Sequence, residues 1–279
     1  MRVKIFTDST SDISQELAKE LGVEVIPLTI HFGEEEYIDG ITLTNEAFYQ
    51  KLEQSAVLPK TSQVSVGTMM EAFRQALDDG YDVLGVFLSS KLSGTYQASC
   101  IARDTLASDR IHVVDSRQVT VGLAMLVWEA VRLNDGKTSA SEIAEKLEVE
   151  KGKIIVYGAI ETLDYVRKGG RLSAAGKLLG TVLNLKPIVQ MDNGRVVAPH
   201  RARGNRNALA WIVERLRLTQ INLSKGIIYG QANCLDKVKQ LQRMVEGVCK
   251  FPFSHTLPIG SVVGTYSGPG CVGFAVMEN

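Results

Sequence analysis

Three times the chain runs from a short apolar segment into small polar residues and then into a helical pattern. Residues 3–6 lead into Thr7-Asp8-Ser9-Thr10-Ser11-Asp12, residues 83–88 into Ser89, Ser90, Ser93, Gly94 and Thr95, and residues 111–114 into Asp115-Ser116. Strands that alternate with helices point to a parallel sheet, because a parallel connection needs a crossover and the helix supplies it. Such a sheet is covered on both faces, and its ligands sit beyond the carboxyl ends of the strands. Asp8, the stretch 89–94 and Asp115 would gather there, and Thr61 joins them if its connector passes that edge. A helix opened by Ser93 and Gly94 offers free N–H groups together with hydroxyls, which suits an anion; plain helix capping accounts for the same residues.

The same patterning predicts a helix over 13–21, a strand over 23–32, a charged turn at 33–40, a helix capped near Thr44, a polar connector at 59–63 and a helix over 65–77. An apolar helix follows over 119–133, then an Asn-Asp-Gly linker and a helix over 140–147. A charged run at 148–153 marks a change of character, so the boundary between two α/β domains is placed there: 1–153, doubly wound around a parallel sheet, and 154–279, built on a mixed sheet. A length of 279 residues suits two domains. The second domain is read as a strand over 154–160, helices over 161–168, 174–183, 205–216 and 236–248, a hairpin turning at Asp192-Asn193-Gly194, and strands at 226–229 and 273–277.

Thirty-one basic and 31 acidic residues cancel, so nothing predicts nucleic-acid binding or a polybasic membrane tether. Cys100, Cys234, Cys249 and Cys271 are dispersed and read as reduced, buried thiols. No segment reads as a signal peptide, and the longest weakly charged stretch, 119–131, is broken by Glu129 and too short to span a bilayer. A cytoplasmic protein without an integral membrane segment is expected, with transient membrane contact left open.

Gly268-Pro269-Gly270-Cys271-Val272-Gly273 matches the dinucleotide-binding glycine pattern, but only six residues follow it, leaving no room for the helix and acidic residue that the fold requires. Asp8 after the first strand, supported by Asp115, is compatible with a phosphotransfer enzyme, although two carboxylates make a thin magnesium site and Asp8 equally braces its own loop. His31, His112, His200 and His255 are scattered and assemble no triad. Arg167, Arg171, Arg201, Arg203 and Arg206 lie at turns and helix edges, and Arg171 sits on a Gly-Gly turn from which it could meet phosphate or a partner's carboxylates.

Seven motifs in order resemble the DegV family of fatty-acid-binding proteins: TDSTSD at 7–12, KTSQ at 60–63, SSKLSGTYQ at 89–97, VVDS at 113–116, LDYVRKGGRLS at 163–173, LKPI at 185–188 and GTYSGPG at 264–270. The resemblance covers nearly the whole chain. It implies a two-domain fold holding one long-chain fatty acid, with Thr61 and Ser93 bonding its carboxylate and Ser62, Gly94 and Thr95 alongside. An apolar tunnel is expected in the second domain, beneath the helices that carry Leu163, Val166, Leu178, Leu179, Val182 and Leu183. The resemblance further implies a carrier with no catalytic set and no cofactor, which presents its ligand to a fatty acid kinase and carries the acyl-phosphate onward. Arg171 and Arg203 match positions that meet the kinase. Tyr266 stands where the family usually has histidine, and tyrosine, with a pKa near 10, is neither a cation nor a proton relay at neutral pH. A lipid-binding sensor that meets no kinase is the alternative this change suggests.

Overall fold

The computed structural model describes residues 2–173 and 184–279. The helix expected over 174–183, with Leu178, Leu179, Val182 and Leu183, lies outside the described residues.

In chain order the elements are β1 (Val3–Asp8), α1 (Gln15–Leu21), β2 (Val23–Ile26), β3 (Thr29–Phe32), β4 (Glu35–Ile38), α2 (Asn45–Gln54), β5 (Lys60–Ser62), α3 (Val66–Asp78), β6 (Asp82–Phe87), α4 (Thr95–Leu106), β7 (Ile111–Asp115), α5 (Val121–Leu133) and α6 (Ala140–Glu150). Then follow β8 (Ile154–Ala159), α7 (Asp164–Lys168), β9 (Leu185–Asp192), β10 (Arg195–Arg203), α8 (Asn205–Leu218), β11 (Ile227–Gln231), α9 (Leu235–Glu246), β12 (Ser254–Pro258), α10 (Ser261–Ser267) and β13 (Val272–Met277). The fold is α/β. A parallel sheet runs β2-β1-β6-β7, a mixed sheet runs β10-β9-β8-β13-β11-β12, and a small antiparallel sheet runs β4-β3-β5. Within the mixed sheet only β11 and β12 pair in parallel.

Capping residues set many of the helix starts. Ser14, Thr44, Ser65 and Ser139 each accept a backbone N–H of the first turn, and Ser139 forms a reciprocal capping box with Glu142. The helix α5 is buried on nearly every side, as its apolar composition demands. One hydrophobic core runs through it, from Ile5, Leu84 and Val86 under the parallel sheet to Val156, Ile228 and Ala275 of the mixed sheet. Its one acidic residue, Glu129, is 4% exposed and held by Lys225 at 2.7 Å and Arg132 at 2.5 Å. Burial pushes that carboxyl up, but the two cations outweigh it and the group ends below its ordinary range.

Several expectations change in detail. The strand expected over 23–32 is two strands, because Pro27 has no N–H to give a ladder. The polar connector at 59–63 contains β5, which pairs with β3. Neither β12 nor α10 is expected from the sequence. The helix α10 has seven residues, including β-branched Val262, Val263 and Thr265 and a glycine, all poor helix formers. It forms because distant carboxylates take its first N–H groups: Asp12 accepts from Gly260 N at 2.9 Å and Asp39 from Ser261 N at 3.2 Å.

Candidate functional site

Beyond the carboxyl ends of β1, β6 and β7, the loops of the parallel sheet meet the mixed sheet across a cavity of about 250 Å³. Its wall is largely apolar, with Leu88 and Leu92 from the loop after β6, Val121 from α5, and Val156, Ile160 and Val189 from the second half of the chain. The cavity is therefore shared between the two halves rather than confined to the second: of Leu163 and Val166, only Val166 reaches the wall. Glycines let the wall close up. A Cβ on Gly230 would lie 2.9 Å from Val121 Cγ1, and one on Gly273 would lie 2.2 Å from the Tyr157 carbonyl oxygen. Gly273 belongs to the glycine pattern of residues 268–273, which serves close sheet packing here.

The polar part of the wall is a connected group. Thr61 Oγ1 lies 2.6 Å from the Tyr266 hydroxyl. The Tyr266 ring packs beside Gly169, where a Cβ would come within 2.4 Å of it, and the Arg171 guanidinium lies 4.8 Å from the ring centre. Arg171 is fixed by donating from Nη1 to the Gly169 carbonyl at 2.7 Å and from Nε to the Leu92 carbonyl at 3.3 Å. Ser93 and Gly94 sit at the start of α4; Thr95 N donates to Ser93 Oγ at 3.3 Å, and Gly94 brings no side-chain cap, so the first-turn N–H groups beyond Thr95 are open to a ligand. Gly94 approaches Gln63 so closely that a Cβ would stand 2.0 Å from Gln63 Oε1.

The sequence-expected residues divide accordingly. Thr61, Ser93, Gly94, Arg171 and Tyr266 line the cavity. Thr95 is buried behind it, with its hydroxyl accepting from Val64 N at 3.4 Å. Ser62 points the other way, because successive side chains of a strand alternate faces, and its hydroxyl lies 2.8 Å from His31 Nε2. Arg203 ends β10 on the exposed surface and is not part of the wall. Sequence reasoning missed Gln63, Gln190 and Ser267 on the wall, although Gln63 stands in the KTSQ motif.

Asp8 and Asp115 brace the loops from outside the wall. Asp115 accepts from Ser90 N at 3.1 Å and Ser90 Oγ at 2.6 Å, and Asp8 accepts from Leu88 N at 2.8 Å and Thr10 Oγ1 at 2.5 Å. Burial pushes Asp8 up to about 6 and Asp12 up to about 8 against the pull of their hydrogen bonds, and Asp39 is raised for the same reason. Cys271 lines the cavity, and burial holds its thiol up at about 12, far from thiolate chemistry. No group of His, Cys, Asp and Glu among the described residues is placed to hold a metal ion.

An open cleft of about 840 Å³ lies on the far side of Thr61, Arg171 and Tyr266, which line both spaces. Lys60 and Lys168 add positive charge there, against Asp164, which is paired with Arg167 at 3.0 Å. Hydroxyls, free N–H groups and an arginine at the edge of an apolar hollow suit an amphipathic ligand with an anionic end.

The DegV family, described as uncharacterised, matches residues 2–279. A DegV domain-containing protein of Caldanaerobacter subterraneus subsp. tengcongensis is 34% identical over 276 residues, covering 98% of this chain and 97% of that relative. Among solved structures, a fatty-acid-binding DegV family protein from Thermus thermophilus is similar with a TM-score of 0.90 and 32% identity, covering 100% of both chains. DegV of Bacillus subtilis, a fatty acid binding protein, is similar with a TM-score of 0.84 and 29% identity, again covering 100% of both. On the match to its full described length and the shared α/β architecture, this chain belongs to the DegV family.

Proposed function

We propose that this protein binds one long-chain fatty acid in the cavity, with the acyl chain against the apolar wall and the carboxylate at Thr61, Ser93 and Gly94. The observation that carries this is the juxtaposition of a largely apolar hollow with a hydroxyl-rich helix start. Each methylene buried contributes about 0.8 kcal/mol, and two or three charge-assisted hydrogen bonds of about 1.5–3 kcal/mol each offset the carboxylate's lost hydration. The fatty-acid-binding relatives support the same reading. Residues 1–153 and 154–279 are taken as the two units that close over the ligand. Mass spectrometry of lipid extracted from the purified protein tests this directly, together with titration of lipid-free protein. A folded protein with no affinity for any long-chain fatty acid rules the reading out. Ser93→Ala is expected to weaken binding by about 1–3 kcal/mol.

We further propose that the carboxylate is presented through the outer cleft to a fatty acid kinase, with Arg171, Tyr266 and the more distant Arg203 meeting the partner or the transferred phosphate. Lys60, Lys168 and Arg171 around that cleft support an anionic partner surface. A sensor without a kinase is the second reading, favoured by the Tyr266 hydroxyl, which is engaged with Thr61. Reconstitution with kinase and ATP separates the two: acyl-phosphate formed by the native protein supports the carrier, and formation only by Tyr266→His supports the sensor.

A further inference from the structure

Among the hydroxyl residues on the cavity wall that are not bonded to Thr61 or Ser93 are two threonines: Thr10, in the loop after β1, and Thr120, immediately before α5. The two are joined to each other, Thr120 N donating to the Thr10 carbonyl at 2.7 Å. Each hydroxyl also has its own carboxylate: Thr10 Oγ1 donates to Asp8 Oδ1 and Thr120 Oγ1 to Asp12 Oδ2, both at 2.5 Å.

Thr120 is held at φ 52 and ψ −134. A β-branched side chain strongly disfavours such a backbone, which persists only where the surroundings impose it and which marks functional positions. Thr120 contributes no cap to α5, so capping does not account for it. Asp12 fixes the neighbourhood by also accepting from Gly260 N at 2.9 Å.

A hydroxyl has one proton to give and two lone pairs to accept with. While its carboxyl is ionised, each threonine commits its proton to that carboxylate and offers only lone pairs to a group that reaches it from the cavity. A hydrocarbon chain makes no use of them, and a carboxylate is repelled by them. A ligand hydroxyl donates to them.

We propose that Thr10 and Thr120 form a second polar subsite on the wall, distinct from the Thr61–Ser93 group, that receives a hydroxyl carried on the acyl chain and makes hydroxylated fatty acids preferred ligands. The proposal rests on the fatty-acid reading and names the ligand class within it. The carboxyls behind the subsite are Asp8, Asp12 and Asp39, faced by the Tyr49 phenol and the Cys271 thiol; the influences that weigh most on Asp8 and Asp12 among the described residues are burial, their hydrogen bonds and one another's charge. Burial raises those carboxyls toward neutrality. Where one takes up a proton it can donate to its threonine, whose own proton is then released toward the cavity. A ligand hydroxyl, which both donates and accepts, fits either arrangement.

The test is competition against a fluorescent polyene fatty acid on lipid-free protein, using stearic acid and its monohydroxy isomers with the hydroxyl stepped along the chain. At least one isomer is expected to bind about fivefold or more tighter than stearic acid, the change that one net hydrogen bond gives. Thr10→Val and Thr120→Val are expected to bring that ratio to about one, while Thr10→Ser and Thr120→Ser retain it. If no isomer exceeds stearic acid on the native protein, or if the ratio survives both valine variants, the subsite is overturned while fatty-acid binding stands. If the native protein binds neither stearic acid nor any isomer, the fatty-acid reading itself falls and the subsite with it. The native ligand series decides the matter even if a valine variant does not fold.

Discussion

Thr61 and Ser62 leave β5 on opposite faces, so neighbours that the KTSQ motif presents as equivalent do different things. Thr61 turns inward beside Tyr266. With the Tyr266 proton donated to Thr61 Oγ1, the threonine keeps its own proton for a ligand, and the bond that closes the wall also orients the donor. Thr61→Val is expected to weaken fatty-acid binding by about 1–3 kcal/mol, whereas Ser62→Ala is expected to change it by less than about 0.5 kcal/mol. Fluorescence titration of the two variants side by side checks this, and equal losses would contradict the alternation argument. Gly94 is a different case: the obstacle to a Cβ there is the amide end of Gln63, which can swing aside, so Gly94→Ala should displace Gln63 rather than unfold the loop.

Among the elements, α5 is the one whose burial ties the two large sheets into one core. Its Leu123 and Leu126 are fully buried within the core that reaches both large sheets. Leu126→Ala is expected to cost about 2–5 kcal/mol, the range for a large-to-small change in a packed interior. Because the core is continuous, urea unfolding should remain one transition whether followed by tryptophan fluorescence or by circular dichroism; two separated transitions would show that the sheets come apart independently. The strands of the parallel sheet and their polar loops could be read from sequence because each is a local pattern: an apolar run, then capping residues, then a 3.6-residue period. The helix α10 could not. Its own residues argue against a helix, and what stabilises it comes from Asp12 and Asp39, more than two hundred positions away. Tyr266 was identified from a motif, but its engagement with Thr61 depends on that hidden helix, as does the placement of Ser267 on the wall. Thr120 was illegible for a similar reason, since its unusual backbone is imposed by the tertiary contacts around Asp12.

At the scale of the whole molecule, the buried aspartates predict an unusual dependence of stability on pH. Asp8 at about 6 and Asp12 at about 8 both lie above the ordinary carboxyl value of 3.8, so the folded state binds these protons more tightly than the unfolded one. Their contribution is complete below that ordinary value and is lost as pH rises through about 6 and then about 8. The urea midpoint should therefore fall between about pH 4 and about pH 8, and Asp12→Asn should flatten the upper part of the decline. A native midpoint that rises across this interval would contradict the assignment. The distance along the chain between the two halves of the cavity mouth has a consequence of another kind. Thr61 and Tyr266 are 205 residues apart, and Gly273 completes the wall later still. At about 5–20 residues per second, a ribosome makes Tyr266 roughly 10–40 s after Thr61. During that interval the loops around Ser93 exist with nothing to close over them. On the proposed reading, a complete site for a fatty acid therefore exists only once the chain through Gly273 has been made.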